Sequence, residues 1–397
     1  MHSKGLLLGI YSALGNGTCA MGGTRGLPRG TGKNLGLGCD ASSLPGCAVA
    51  ERDINDFVSW GIDALKVDGC FEFDNAHMNL GYARVGQLLR AATAKTGRPV
   101  LYNPSNLGFK LPREIREYQA VGAGMWRWFD DVVDSWFPTS TATNPDVSGA
   151  SVSEIIEAIG AGQPTCLPGL LPPACDIFMT DVQHHPIATI CASYCSEVHK
   201  YLTVTRPGTF PDADMLIVGN SPCPGAKGGN HCHKLTHDEE QTQMAIWALA
   251  AAPLFMSTDL RHVPASSKAI LLNRELLQIS QDLLARAGHR FYHDLPTGGS
   301  GWVRELQGGD IAVALHNGGG NCSAPTWSKP VPPRCTGNQP LSITLDSQMV
   351  DFAPGTAMAI FDVYANASLG VHTGSFVSKL IPPHGVQLLR IAFSPVY

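Results

Sequence analysis

The stretch ERDINDFVSWGIDALKVDG (51–69) joins an amphipathic, helix-like segment to the short strand-like run ALKVDG (64–69). Similar pairs recur as far as about residue 260. This alternation predicts parallel βαβ units, and their number favours a closed barrel over an open doubly wound sheet. No G-x-G-x-x-G motif follows the first strand-like run, which argues against a dinucleotide-binding fold. Other strand-like runs are GLLLGIYS (5–12), PVLYNP (99–104), MWRWFD (125–130) and PLFMST (253–258), and other helix-like segments span 76–97, 111–122 and 237–252, the last with His237 or Asp238 as its expected N-cap.

The pattern changes at about residue 289, where helical periodicity gives way to short alternating segments separated by turn residues. Such segments predict an antiparallel β-sandwich. We therefore expect two domains, a barrel over 1–288 that carries any catalytic site and a β domain over 289–397, with a Pro-rich surface insertion around 137–175. The segments that indicate the β domain are GWVREL (301–306), DIAVALHN (310–317), LSITLDS (341–347), AMAIFDVYA (357–365) and GVQLLRIAF (385–393).

Composition excludes several classes of partner. The net charge of −5 gives no reason to expect nucleic acid or an anionic membrane surface as partner. No run of about 18 apolar residues is present, so no membrane span is predicted. The N-terminal run GLLLGIYSALG (5–15) resembles a signal peptide, but the pattern of the remaining chain favours a barrel strand there.

The twelve cysteines indicate an oxidising compartment. Many form loop-like pairs, such as Cys39 with Cys47, in stretches rich in Gly, Pro and Ser. Zinc binding is the alternative, most plausible at 231–233 (His-Cys-His), where no second ligand pair completes a site. We expect no metal, and we expect a glycoprotein of the secretory pathway, whether extracellular, vacuolar or lysosomal. Three glycosylation sequons agree with that route, at Asn16, Asn321 and Asn366.

Active sites of parallel barrels lie at the C-terminal ends of the strands, and Asp68 closes one such run. Side chains alternate along a strand, so Lys66 and Asp68 share one face while Leu65 and Val67 share the other. A lysine beside it would keep Asp68 ionised, as a nucleophile requires. A structural ion pair between Lys66 and Asp68 explains the same pattern equally well.

Further acidic residues follow two other runs. Arg127 and Asp131 fall on one face of the segment beginning at 125, although a surface acidic cluster is the alternative there. Asp212 and Asp214 lie in a loop (FPDADML, 210–216) where they would bind sugar hydroxyls or calcium, although calcium would require more oxygen ligands. Paired carboxylates with tryptophans nearby are typical of glycosidases, in which burial near the nucleophile raises the pKa of the acid/base.

In these motifs the chain resembles glycoside hydrolase family 27, the α-galactosidases and α-N-acetylgalactosaminidases. The stretches that carry the resemblance are HSKGLLLGIYSALGNGTCA (2–20), WGIDALKVDGC (60–70), TGRPVLY (96–102), MWRWFDDVVDSW (125–136), FPDADMLIVGN (210–220) and QTQMAIWALAAAPLFMSTDLRH (241–262). The resemblance implies a (β/α)8 barrel followed by an antiparallel β domain. It also implies hydrolysis of terminal α-galactosides with retention, through a covalent glycosyl–aspartate and without cofactor or metal.

Residue by residue, the resemblance makes Asp68 the nucleophile and Asp131 the general acid/base, meeting on opposite sides of the anomeric carbon. It makes Lys66 and Arg127 ligands of sugar hydroxyls and Tyr11 an active-site aromatic. It assigns Asp212 and Asp214 to a loop near the site, and it pairs Cys19 with Cys70 in a disulfide. Dimers are common in the family, so a homodimer is an expected assembly.

Two departures from the family pattern change the expectation. The chain begins just before the third strand of the family barrel, so a truncated chain that binds carbohydrate without activity is one alternative. In the loop after PVLY, Pro104 replaces the family cysteine, and Ser105 lies at the position that reads the sugar 2-substituent. A small residue there leaves room for an N-acetyl group, which makes α-N-acetylgalactosaminidase activity the other alternative.

Overall fold

A computed structural model describes most of the chain as two compact units, Met1–Trp128 with Gly208–Asp212, and Phe129–Pro207 with Ala213–Tyr397. The described residues are 1–14, 44–69, 75–105, 112–127, 131–132, 135–136, 151–161, 204–220, 235–294, 296–319 and 339–393, with the backbone alone described at 44–49, 75–80, 112–114, 158 and 161.

The first unit is built from parallel strands with helices between them. The first three strands of the unit pair in sequence order, and a parallel bridge between Tyr102 and Ala123 leads on to a further parallel pair. The signal-like N-terminal run contributes a strand, which confirms that interpretation of residues 9–13. In chain order the elements are a 3-10 helix (His2–Lys4), β1 (Gly9–Ala13), α1 (Leu44–Ser59), β2 (Ala64–Asp68), α2 (Asn75–Thr96), β3 (Leu101–Ser105), α3 (Pro112–Ala120), β4 (Met125–Arg127) and β5 (Phe210–Asp212).

The alternation predicted for β2 is confirmed. Leu65 and Val67 are completely buried in a core to which α1 and α2 contribute apolar side chains. Full burial of each such side chain stabilises the fold by about 1.5–3 kcal/mol. Lys66 and Asp68 lie on the opposite face and are partly exposed. The apolar residues therefore hold β2 against the helices and leave its polar residues free for chemistry.

Asp63 ties the chain ahead of β1 to the start of β2. Its carboxylate accepts hydrogen bonds from the His2 ring at 2.6 Å, from Leu8 N at 2.8 Å and from Arg98 Nη2 at 2.7 Å. The backbone repeats the link, since Asp63 N donates to Leu8 O at 2.7 Å. The hydrogen bond from His2, followed by those from Leu8 and Arg98, lowers the pKa of Asp63 from 3.8 to about 2.

The second unit contains helices followed by antiparallel strands. The predicted strand at 253–258 is reduced, within the described residues, to a single parallel bridge between Leu216 and Met256. The elements are α4 (Val152–Ala161), α5 (His237–Leu249), α6 (Ala265–Leu271), α7 (Arg274–Ser280), β6 (His289–Asp294), β7 (Gly299–Glu305), β8 (Ile311–Asn317), β9 (Thr344–Asp346), a 3-10 helix (Ser347–Val350), β10 (Ala357–Asp362), β11 (Ala367–Thr373), β12 (Ser375–Val377) and β13 (Val386–Phe393).

The N-cap of α5 is Thr236, so the expectation of His237 or Asp238 is wrong. The Thr236 hydroxyl accepts from Glu239 N at 3.3 Å, and the Glu239 carboxylate accepts from Thr236 N at 2.7 Å. These two reciprocal bonds form a capping box, and they identify Thr236 as the residue that caps the helix.

The antiparallel strands form a six-stranded sheet in the order β11-β10-β13-β8-β7-β6, and β12 pairs with β9. Apolar side chains of both sheets, such as Val313 and Leu389 from one and Leu345 and Phe376 from the other, share one core. The sequon residue Asn366 is exposed between β10 and β11, as glycan attachment requires. Among the described helices, none combines the length and apolar character needed to cross a membrane.

Helix α5 is hydrogen-bonded to the antiparallel strands at several points along its length. The Tyr364 hydroxyl donates to Gln241 O at 2.6 Å, and the Thr242 hydroxyl donates to His384 O at 2.6 Å. Near the end of the helix, the Arg304 guanidinium donates to Ala248 O. These bonds satisfy backbone carbonyls of both partners within the second unit.

We predict that Asp63→Asn lowers stability at neutral pH and flattens its dependence on acid. The folded pKa of Asp63 lies below its ordinary value, so its contribution is complete above 3.8 and is lost as the pH falls through about 2. Urea unfolding between neutral and acid pH measures the effect. Asp56→Asn, at an exposed carboxylate of α1, is the matched control. Equal unfolding curves for the two variants would contradict the role of Asp63.

Candidate active site

Polar side chains gather at the C-terminal ends of the parallel strands in the first unit. Tyr11, Lys66 and Asn103 form one row across β1, β2 and β3. One step towards the C-terminal edge, Asp68 lies between Ala13 and Ser105. Residues paired in a parallel register point to the same face, so both rows lie opposite the apolar core. This edge is where the active site of a barrel is expected.

Asp68 is oriented by two hydrogen bonds. The Tyr11 hydroxyl donates to Asp68 Oδ2 at 2.9 Å, and Gly69 N donates to Oδ1 at 2.9 Å. Tyr11 remains 41 % exposed, so the pair faces an accessible surface in the described part of the chain. The arrangement presents a fixed carboxylate to an incoming molecule, as covalent catalysis requires.

A structural ion pair between Lys66 and Asp68 was the alternative explanation of the β2 pattern. Among the described residues, no ion pair within 4.0 Å joins these two side chains, and both remain partly exposed. The geometry therefore argues against mutual neutralisation of these two side chains.

Asn103 is a site residue that the sequence did not single out. Its Nδ2 donates to Asp212 Oδ2 at 2.8 Å, and both side chains are buried. Within the described residues, Asn103 Oδ1 is buried without a hydrogen-bond partner. Asp212 is paired in register with Arg127, which is 1 % exposed. The alternation along β3 was the available signal, because Asn103 shares the face of Ser105.

Ser105 closes β3 beside Asp68 and is 1 % exposed. A buried hydroxymethyl group here takes little volume next to the nucleophile candidate. The small size of Ser105 therefore stays the feature that bears on which sugar 2-substituent the site accepts.

In the second unit, Asp131 and Asp214 lie on adjoining segments. Asp214 Oδ2 accepts from Val132 N at 2.6 Å, and Asp214 O accepts from Trp247 Nε1 at 2.8 Å. Asp214 has a φ of 71°, a left-handed conformation that is uncommon outside glycine. Such strain persists only where surrounding contacts impose it, and it is frequent at functional sites.

Asp131 is exposed. Its neighbour Val132 is partly buried and carries the bond to Asp214. The hydrogen bond to Asp214 thus holds the backbone at Val132, next to the exposed Asp131.

Several sequence predictions lie outside the described residues. Cys19 and Cys70, the histidine–cysteine cluster at 231–233 and the insertion around 137–175 belong to this group, except for the part of the insertion in α4. All the remaining cysteine side chains lie outside as well. In the part of the chain that is described, no three His, Cys, Asp or Glu side chains are grouped to hold a metal ion.

Comparison with known families covers almost the whole chain. The family model described as alpha galactosidase A matches residues 1–166 and 176–282. The model described as alpha galactosidase C-terminal beta sandwich domain matches residues 300–391. The chain is 28% identical to alpha-N-acetylgalactosaminidase of Gallus gallus over 98% of this chain and 71% of that protein. It is 29% identical to alpha-galactosidase A of Homo sapiens over 80% of this chain and 54% of that protein. The chain thus spans about half the length of the human relative.

Solved structures agree on the fold. Alpha-galactosidase I from Mortierella vinacea superposes with a TM-score of 0.67 at 22% identity, covering 99% of this chain and 78% of that one. The GH27 β-L-arabinopyranosidase from Geobacillus stearothermophilus gives 0.65 at 19% identity, covering 100% and 76%. The predicted fold class, a (β/α)8-type barrel followed by an antiparallel β-sandwich, is confirmed by these matches.

We predict that Asn103→Ala destabilises the protein by about 1–3 kcal/mol, because buried Asp212 loses a hydrogen-bond donor. Urea unfolding measures the change. Asn55→Ala is the matched control, since the Asn55 side chain donates to Glu51 O within α1. A loss no larger than that of the control would contradict a buried anchoring role for Asn103.

Proposed function

Because the chain belongs to glycoside hydrolase family 27, the α-galactosidase family, we propose that it removes terminal α-linked galactose from oligosaccharides or glycoconjugates with retention of configuration. The single observation that carries this proposal is the Asp68 carboxylate, held by Tyr11 at the C-terminal edge of parallel strands. A fixed carboxylate at this edge is what a double-displacement mechanism needs from its nucleophile.

In the proposed reaction, Asp68 attacks the anomeric carbon while Asp131 donates a proton to the departing glycosidic oxygen. The product of this step is a galactosyl ester of Asp68. Asp131 then removes a proton from water, which attacks the same carbon and releases galactose together with a free Asp68 carboxylate. The two carboxyl groups complete every proton and bond transfer, so the chemistry requires neither a metal nor a cofactor.

The remaining polar residues of the site would bind the sugar. Lys66 lies near the C-terminal end of β2 and Arg127 ends β4, where their positive charges would meet sugar hydroxyls. Asp212 and Asp214 would supply acceptors for hydroxyl groups. Desolvated, charge-assisted hydrogen bonds of this kind fix the sugar in place for attack. The cysteines and sequons further support an enzyme of the secretory pathway, and a homodimer remains the expected assembly.

A second activity, hydrolysis of α-N-acetylgalactosaminides, is favoured by one observation. Ser105 is small, and it lies next to Asp68 in the strand register. A small side chain at this position leaves space for an N-acetyl group, whereas a carboxylate there would favour a free hydroxyl. We therefore expect the size of the side chain at position 105 to influence the choice between the two sugars.

We predict that Asp68→Asn lowers hydrolysis of nitrophenyl α-galactoside by about 10³-fold or more, without lowering the unfolding midpoint. Asp68→Ala supplies a sharper test, because azide can enter the vacated space and attack galactosyl fluoride. The expected product is β-galactosyl azide, with inverted configuration. Asp56→Asn, an exposed substitution of the same kind on α1, should leave turnover unchanged. If Asp68→Asn retained most turnover, the nucleophile would be another residue.

We predict that Ser105→Glu shifts the preference for galactoside over N-acetylgalactosaminide by about tenfold or more, through lost space and a new acceptor. The ratio of kcat/KM values for the two nitrophenyl glycosides measures this shift. Ser105→Ala keeps the small volume and should leave the ratio near that of the parent chain. An unchanged ratio in Ser105→Glu would show that another residue reads the 2-substituent.

A further inference from the structure

Trp136, which follows Asp131 in the same segment, lies between two histidine rings of the β-sandwich. Its side chain is 5 % exposed. The His384 ring stacks on the indole with centroids 5.1 Å apart and planes inclined by 18°. The His316 ring, on β8, approaches with centroids 6.3 Å apart and planes at 62°. Within the described residues, Trp136 Nε1 has no hydrogen-bond partner. Ring contacts therefore hold the indole in place.

His384 is itself fixed from several directions. Its Nδ1 bonds to Glu239 Oε1 at 2.8 Å, and its carbonyl accepts from the Thr242 hydroxyl at 2.6 Å. Its backbone N donates to Asn317 O at 2.7 Å. Its φ of 63° is left-handed, a conformation that is uncommon outside glycine. The plane of the ring is consequently set by α5 and the sandwich together.

Burial and hydrogen bonding shift the pKa values of two groups near His384, Glu239 and His316. Burial acts to raise the pKa of Glu239, but hydrogen bonds from His384 and Thr236 outweigh it and lower the pKa. Burial lowers the pKa of His316 to about 3, so its ring is neutral at ordinary pH. Glu239 is therefore an anion facing His384, and His316 adds no charge to the other side of Trp136.

Backbone hydrogen bonds hold the described residues near Asp131, which are 131–132 and 135–136. Val132 N donates to Asp214 Oδ2 at 2.6 Å. Val152 N donates to Ser135 O at 3.0 Å and Ser153 N donates to Trp136 O at 3.2 Å, both from the first turn of α4. Within the described residues, the Trp136 side chain contacts the sandwich through the rings of His384 and His316.

We propose that His384 is a positioning residue for Asp131, acting through the indole of Trp136, so that the β-sandwich sets the geometry of the general acid/base. The inference rests on the proposed function, in which Asp131 protonates the leaving oxygen. A proton donor is effective only when held within hydrogen-bond reach of that oxygen. Loosening Trp136 would therefore slow the reactions that need protonation and spare those that do not.

The variant His384→Asn tests this link. Asparagine tolerates the left-handed backbone and keeps a donor for Glu239, so the substitution removes chiefly the ring. We expect kcat/KM for methyl α-galactoside to fall by about tenfold or more, with kcat/KM for the dinitrophenyl galactoside falling about twofold at most. Amides of residues 132–136 should also exchange hydrogen faster, as measured by mass spectrometry.

His372→Asn is the matched control within the sandwich. His372 makes an edge-on ring contact with Phe376, with ring centroids 5.0 Å apart, and a hydrogen bond to Leu369 O. Both contacts lie within strands β11 and β12. It should change neither the ratio of the two substrates nor exchange at 132–136. Equal losses on both substrates in His384→Asn, or no loss with unchanged exchange, would overturn the positioning role.

Failure of the proposed function would look different. Asp131→Ala should show the same leaving-group dependence more strongly, by about 10²-fold or more, if Asp131 is the acid. A parent chain without turnover on either galactoside, or an Asp131→Ala variant with no such dependence, would reject the assignment of Asp131. In that case hydrogen exchange at 132–136 still decides whether His384 holds the segment.

Discussion

The alternation of side chains along β2 is the constraint on which the rest of the first unit depends. Leu65 and Val67 enter the core beneath α1 and α2, and this fixes Lys66 and Asp68 on the opposite face. A shift of one residue in the register would bury a carboxylate without a partner and expose two apolar side chains, at a cost of several kcal/mol. The site is therefore specified by the same packing that stabilises the strand.

Much of this arrangement could be predicted from the sequence because it is local. Strand–helix alternation, the faces of β2 and the change of pattern near β6 follow from periods of two and 3.6 residues, which short stretches display. The N-cap of α5 was misplaced because three polar residues adjoin there, and the reciprocal bond of Glu239 decides among them. Strand β11 gave no signal, since five of its seven residues are exposed and apolar alternation is lost.

The parts that could not be predicted are those made by residues distant in sequence. Asn103 bonds to Asp212 across the strands β3 to β5, and His384 meets Glu239 and Trp136 from the far end of the chain. No spacing rule connects such residues, because the fold alone brings them together. The exposure of Asp131 has the same origin, since burial depends on every segment packed around it.

The hydrogen bonds that join α5 to the antiparallel strands bear on how a minimal enzyme can be cloned. A shortened protein that ends at the compositional boundary near residue 289 would lack the hydrogen-bond donors and acceptors that Tyr364, His384 and Arg304 contribute to α5. The polar atoms of α5 would lose their hydrogen-bond partners, and the helix surface that the sandwich covers would be exposed to solvent. Such a shortened protein would be less stable and prone to aggregation. The compositional boundary is therefore a poor site for truncation within the second unit. Any shortened or chimaeric version of the protein should retain the sandwich.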